Sequence, residues 1–319
     1  MKILVTGGLG FIGHNVVRIL ESFRHECAII DNKTDYGIIP KSELDYLMIE
    51  RLCRIQTRNI TLADISKPFD DNIFDGVDVV IHLASFPRQK VVNKNPVQGS
   101  RVMIEGLLNL LEHSVKHNVK KFVYVSSSMV YGNFNKHAIA DGIDESSDCK
   151  PMGQYSIMKL AGELLVQDYS RQYKLDYTIV RPSAVYGPYD VEDRVVSKFL
   201  TQAMRGKELT VNGADDNLDF TYIDDCATGI ALSAISDNTI NATYNISRSQ
   251  TRTLLDAANL AVKIAGKGTI KIVARDNNFP CRGQLNTMRA RVDFGYYPAV
   301  NIEEGFKEYY NWLKQVKYD

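Results

Sequence analysis

Several things are missing from this sequence. There is no surplus of charge: Lys and Arg number 38 and Asp and Glu 38 in 319 residues. That excludes the basic footprint of a protein that binds nucleic acid or an anionic membrane. No apolar stretch is long enough to span a bilayer. The apolar run after Met1 breaks at Gly7 and is too short for a signal peptide. Cysteine is sparse and odd in number, at positions 27, 53, 149, 226 and 281, with no metal-ligand or Cys-x-x-Cys spacing. Idle thiols in a reducing cytoplasm are the expectation, and no metal. Trp occurs once, and neither a repeat nor a low-complexity segment is present. What remains is an ordinary globular chain, long enough for one large or two modest domains.

The N-terminal third carries a phosphate cradle. Lys2–Thr6 reads as a short buried strand, Gly7, Gly10 and Gly13 follow, and Phe11, Ile12, Val16, Val17, Ile19 and Leu20 continue as an apolar helix. One glycine permits the turn, one lets the backbone approach a pyrophosphate, and one lets helix and sheet pack closely. The helix N-terminus then offers free N–H groups to phosphate. Asp31 ends a second strand, Cys27–Ile30, and Asn32 follows. A carboxylate there accepts both ribose hydroxyls of NAD and repels the 2′-phosphate of NADP. Lys33 argues mildly the other way, and the balance favours NAD. Arg54–Thr57 is expected as a third strand, with Asn59 and Ile60 beside the adenine. A fourth strand ends in Leu83, Ala84 and Ser85, small enough for a cofactor to approach. His82, inside its apolar run, is expected to be a core histidine.

The helix from Gln98 to Lys116 is apolar on more than one face, which suits the core or a partner subunit. Lys121–Val125 is a fifth strand delivering Ser126, Ser127 and Ser128 at its C-terminal end, where open parallel sheets bind ligands. Tyr155 and Lys159 lie four residues apart on a helix and so share a face. A phenol titrates near pH 10, and a base useful at neutrality needs about 7; the gap is about 4 kcal/mol. A nearby ammonium supplies part of it and a cationic cofactor more. Tyr-x-x-x-Lys alone is a weak signal and more often marks a core aromatic beside a solvated lysine; the glycine-rich opening and the serine run shift the balance to chemistry. The expected fold is α/β: a Rossmann-type doubly wound parallel sheet with a smaller mixed α/β C-terminal substrate lobe. Residues 1–181, with 219–247 returning, form the NAD domain; 182–218 and 248–319 form the lobe.

Taken together, these motifs resemble the extended short-chain dehydrogenase/reductases that act on nucleotide sugars, the epimerase/dehydratase group typified by UDP-glucose 4-epimerase. The matching stretches are Thr6–Gly13, Asp31-Asn32, Ile81–Ala84, Ser127–Gly132, Tyr155–Lys159, Arg181–Pro188 and Asp219–Asp225. The resemblance implies Tyr155 as acid/base, Lys159 on the nicotinamide ribose, and Ser127 on the reacting hydroxyl with Ser128 beside it. It implies a nucleotide-diphosphate sugar as substrate and Arg282 as a phosphate ligand. It also implies a homodimer built on the Gln98–Lys116 and Tyr155 helices. Three positions depart from the family pattern. Asn59 stands where an Asp precedes Ile, Ala184 where an Asn is usual, and Leu218 where an Arg is usual. Arg194 either compensates for the last two or is a solvated surface charge.

Epimerisation at carbon 4 is the leading expectation. Dehydratases of this family carry Asp and Glu directly after the catalytic Ser or Thr, and here those positions are Ser128 and Met129. An acid from elsewhere, among Asp141, Asp144, Glu145 and Cys149, would reopen elimination. A ketoreductase would share Ser127, Tyr155 and Lys159 but usually takes NADPH. A cofactor-binding protein without turnover is the alternative from another class, and the intact trio argues against it.

Overall fold

The computed structural model describes residues 1–86, 88–133, 142–191 and 193–316. Six strands follow in order: β1 (Lys2–Thr6), β2 (Glu26–Asp31), β3 (Ile60–Leu62), β4 (Val79–His82), β5 (Lys121–Val125) and β6 (Asp176–Pro182). A seventh, Ala242–Ile246, lies outside β6. Among the described residues the sheet runs 242–246, β6, β5, β4, β1, β2, β3, and every pairing is parallel. β4 and β5 are buried along their whole length, as parallel strands covered on both faces must be. The order reverses between β1 and β4, and ligands bind at such a switch point.

β3 is not where the sequence suggests. Arg54 closes helix α2 (Lys41–Cys53) rather than opening a strand. The next N–H groups, of Gln56 and Thr57, donate to the Glu21 carboxylate at 2.8 and 2.7 Å. They are therefore unavailable to a ladder, and pairing with β2 begins only at Ile60. The helix expected from Gln98 runs from Pro96 to Lys116, with a π-turn over Arg101–Glu105.

The tyrosine helix spans Gln154–Tyr173 and packs across β5, its Gly162 against the Tyr124 hydroxyl. Beyond β6 the chain builds a smaller lobe. A parallel pair, Glu208–Asn212 with Thr269–Val273, packs there with helices Val195–Met204 and Leu254–Ala265. Among the described residues no helix is long and apolar enough to cross a membrane.

Candidate active site

The C-terminal ends of β1, β2, β4 and β5 open into a cavity of about 820 Å³. Helix α1 (Phe11–Ser22) starts at this opening, and its N-cap, Gly10, brings no side-chain acceptor to the first turn. Gly7, Gly10, Phe11, Ile12 and Gly13 all line the cavity. A Cβ at Gly13 would sit 2.1 Å from the Gly7 carbonyl oxygen, and one at Gly7 would sit 2.7 Å from the Ala84 nitrogen. Gly7 also has φ +70°, which side chains rarely adopt. Bare backbone and an uncapped helix end fit a pyrophosphate.

Asp31 and Asn32 line the same cavity. The Asp31 carboxylate accepts the Leu9 N–H at 3.0 Å and the Lys33 N–H at 2.7 Å. Burial raises its pKa, and these two bonds, with Arg51 and Lys33, oppose the rise. Two anchored oxygens with lone pairs to spare suit a ribose diol. Leu83, Ala84 and Ser85 also face the cavity. His82 is a core residue, as expected: it is buried, its Nδ1 lies 2.7 Å from Thr6 Oγ1, and burial drives its pKa to about 3.

Asn59 and Ile60 are not at the site. Ile60 opens β3 with Asn59 just before it, Asn59 is exposed, and neither lines the cavity. Ala63 and Ile65 do, with Asp64 between them. Asp64-Ile65 has the Asp-before-Ile order that the resemblance asks for. It was missed because placing the third strand at Arg54 shifts the strand end by five residues. The signal was in the sequence, since Ile65 follows an Asp and Ile60 an Asn.

Ser127, Ser128, Tyr155 and Lys159 meet at the β5 end of the cavity. Ser127 caps the short turn Ser128–Tyr131, its oxygen accepting the Met129 N–H at 3.2 Å. Ser128 Oγ is buried without a hydrogen-bond partner. Burial raises the Tyr155 phenol, while Arg194, a hydrogen bond with Ser127, and Arg282 act to lower it. Lys159 reaches the site from the same helix. Its ammonium donates to the Val125 carbonyl at 2.8 Å and stands 6.0 Å from the Tyr155 ring centroid. Burial lowers the Lys159 pKa to about 8, offset in part by Glu163.

Arg282 and Arg194 both reach the cavity. Burial takes Arg282 down to about 10 against the pull of Asp216 and Tyr155. Arg194 is 34% exposed, pairs with buried Asp190 at 3.1 Å, and lies over the Phe11 ring. The reading as a solvated surface charge therefore fails. Ala184 and Leu218 also line this wall. Neither supplies a polar side chain, so the arginines are its chief cations. Sequence reading missed Arg88, which pairs with Asp193, and Arg51, whose guanidinium donates to the Leu9 carbonyl at 3.2 Å and the Tyr189 carbonyl at 2.7 Å. Nothing in their local sequence marks them.

The class is thereby fixed: a dinucleotide-dependent enzyme of the doubly wound α/β fold, with its chemistry at the sheet's C-terminal edge. The chain belongs to the NAD dependent epimerase/dehydratase family, which it matches over residues 3–247. It is 29% identical over 323 residues to an uncharacterized UDP-glucose epimerase, YtcB, of Bacillus subtilis, covering 99% of both chains. It is 30% identical over 275 residues to a dTDP-D-glucose 4,6-dehydratase of Dictyostelium discoideum, covering 83% of this chain and 62% of that one. Among solved structures, a UDP-glucuronic acid 4-epimerase from Bacillus cereus, in complex with UDP-glucuronic acid and NAD, superposes with a TM-score of 0.89. It is 28% identical and covers 99% of each chain.

Proposed function

We propose that this chain is an NAD-dependent epimerase acting at carbon 4 of a nucleotide-diphosphate sugar. The observation that carries the reading is one cavity holding Ser127, Tyr155 and Lys159 beside the glycine cradle and Asp31. Tyr155 takes the proton from the sugar hydroxyl and later returns it, and Ser127 holds the oxygen between them. Lys159 would hold the nicotinamide ribose. When bound, NAD supplies the hydride acceptor and a cationic ring that favours the Tyr155 phenolate. Arg282 and Arg194 take the substrate pyrophosphate, since a planar guanidinium pairs two phosphate oxygens. The lobe formed by 182–218 and 248–319 receives the sugar nucleotide, while 219–247 belongs with the cofactor domain.

The family also contains dehydratases, and the wall beside Ser127 favours the epimerase. Elimination needs two further proton-transfer groups, and Ser128 and Met129 are poor candidates. Of the alternatives, Asp144 accepts the Ser146 N–H and Glu145 the Asn245 N–H, and neither they nor Cys149 line the cavity. Asp141 lies outside the described residues. Incubated in deuterated water with its accepted sugar nucleotide, the protein should give an isomer of unchanged mass. A product lighter by one water, or labelled at carbon 5, sinks the assignment. In the same assay Arg282→Ala should raise KM roughly tenfold to a hundredfold, the worth of a charged hydrogen bond, and leave NAD affinity unaltered. An unchanged KM moves the clamp elsewhere.

Asp31→Ser should narrow the preference for NAD over NADP by roughly tenfold or more, because the repelling carboxylate is gone. Equal affinity of the unaltered protein for both cofactors would refute the role.

The chain is proposed to act as a homodimer in the cytoplasm. Ile157 and Leu164 lie on one face of the tyrosine helix and are 51% and 59% exposed; Val97, at the start of the neighbouring helix, is 66% exposed. Light scattering at micromolar concentration should read twice 35.9 kDa, and a single-chain mass would count against the interface. Five cysteines without a disulfide partner fit a reducing compartment, a placement that fractionation of host cells would check.

A further inference from the structure

The helix Gly106–Lys116 ends in two histidines four residues apart, His113 and His117. That spacing puts both imidazoles on one face. Opposite them stands Asp71, in the short turn Asp71–Phe74. One of its oxygens, Oδ2, lies 3.0 Å from His113 Nδ1 and 3.1 Å from His117 Nε2. The three atoms all fall within 4.8 Å of one another. None of these residues lines the catalytic cavity.

The arrangement is held from behind. The buried Phe74 ring lies 5.5 Å from the His113 ring and 5.8 Å from that of His117, and Phe69 lies 5.0 Å from His113. His117 Nδ1 sits 3.0 Å from Asp75 Oδ1. A carboxylate on one imidazole nitrogen fixes the proton there and leaves a lone pair on the other, the usual outer support of a metal-bound histidine. That lone pair then faces the Asp71 oxygen, and two electron-rich atoms so close need a cation or a proton between them. Lys116 now lies 2.7 Å from the same oxygen, but its side chain is 66% exposed and free to swing into water.

We propose that Asp71, His113 and His117 form a binding site for a divalent ion of the zinc class. Asp75 orients His117, water completes the shell, and Lys116 is displaced. Two imidazole nitrogens and a carboxylate oxygen are a zinc donor set, and with bonds of about 2.0–2.1 Å such ligands stand a little over 3 Å apart in a tetrahedron. The ion would tie the turn at residues 71–74 to the last turn of the helix.

The test uses the full, untagged chain near neutral pH, titrated with zinc sulfate by calorimetry and followed by thermal unfolding with zinc or with a chelator. One zinc per chain at micromolar concentration is expected, with a rise in melting temperature that the chelator reverses. His113→Gln with His117→Gln should abolish both effects. Asp75→Asn should weaken binding about tenfold or more, and Lys116→Ala should strengthen it by removing the competing cation. Cobalt should give the visible absorption of a four-coordinate nitrogen and oxygen site. No binding at micromolar zinc would overturn the proposal and leave a proton-bridged ion-pair cluster. Binding that survives loss of both histidines would overturn it equally, by placing the metal elsewhere.

Discussion

Tyr155→Phe is expected to lower turnover by about 10³, within the range a positioned acid/base contributes, while NAD affinity and stability stay nearly unchanged. The substitution deletes one oxygen. The ring keeps its packing beside Phe86, Val102 and Met103, and Ser127 keeps the Met129 N–H. Among the described residues that line the cavity, no other group is placed to take over. Lys159 is committed to the Val125 carbonyl, and His82 is sealed in the sheet with Thr6. Arg194 and Arg282 carry guanidinium groups, which donate hydrogen bonds and have no acceptor for a proton. The checks are steady-state kinetics for turnover and calorimetry for NAD. A variant that keeps turnover within tenfold of the original removes Tyr155 from the proton path.

Arg181→Met should be the most destabilising single change near the site, by about 3–5 kcal/mol, because it strands a buried charge. Arg181 and Glu163 have side chains only 7% and 2% exposed and meet through two bonds, at 3.0 and 2.6 Å. Arg181 also donates to the Tyr131 hydroxyl at 2.8 Å, and that hydroxyl donates to Asn245 at 2.8 Å. Ser126 donates to the same Glu163. The network therefore joins the tyrosine helix, the ends of β5 and β6, and the outermost strand behind Ser127, Tyr155 and Lys159. Urea unfolding should show the loss, and pairing Arg181→Met with Glu163→Gln should recover part of it, since no lone charge then remains. A single variant within about 1 kcal/mol of the original would mean that water enters and solvates Glu163.

What could be read from the sequence follows the physics of each segment. β1 and β5 are continuous apolar runs with both faces covered, so composition alone defines them. The tyrosine helix is equally plain, and Tyr155 with Lys159 fixes which face looks at the cavity. β3 was not legible. Arg54–Thr57 has the composition of a strand, but a carboxylate on another element, Glu21, takes its N–H groups, and no local pattern reveals a distant acceptor. The expected position beside the adenine shifts with that error, from Asn59-Ile60 toward Ala63 and Ile65, which line the cavity. Arg194 could not be resolved locally either. Its neighbours Phe11 and Asp190 depend on how the chain leaves β6, and that departure includes Ala184 at φ +34° and Tyr189 at φ +69°, backbone that neither residue type announces.

The outermost strand of the sheet has a consequence for the chain as it is made. Ala242–Ile246 pairs with β6, yet about 60 residues separate it from Pro182. At ribosomal speeds of about 5–20 residues per second, β6 is an open edge for roughly 3–12 s. Its second half is fully buried in the finished protein, so the nascent chain exposes an apolar strand with unpaired N–H and C=O groups, a template for pairing with other chains. Lys121 is stranded over the same interval. Its ammonium rests in the finished fold on the carbonyls of Ser233 and Ser236 and the hydroxyl of Thr239, all of which emerge after β6. Slow synthesis should therefore favour aggregation of this protein, and a chaperone that shields strand edges should raise its yield more than one that acts on the released chain.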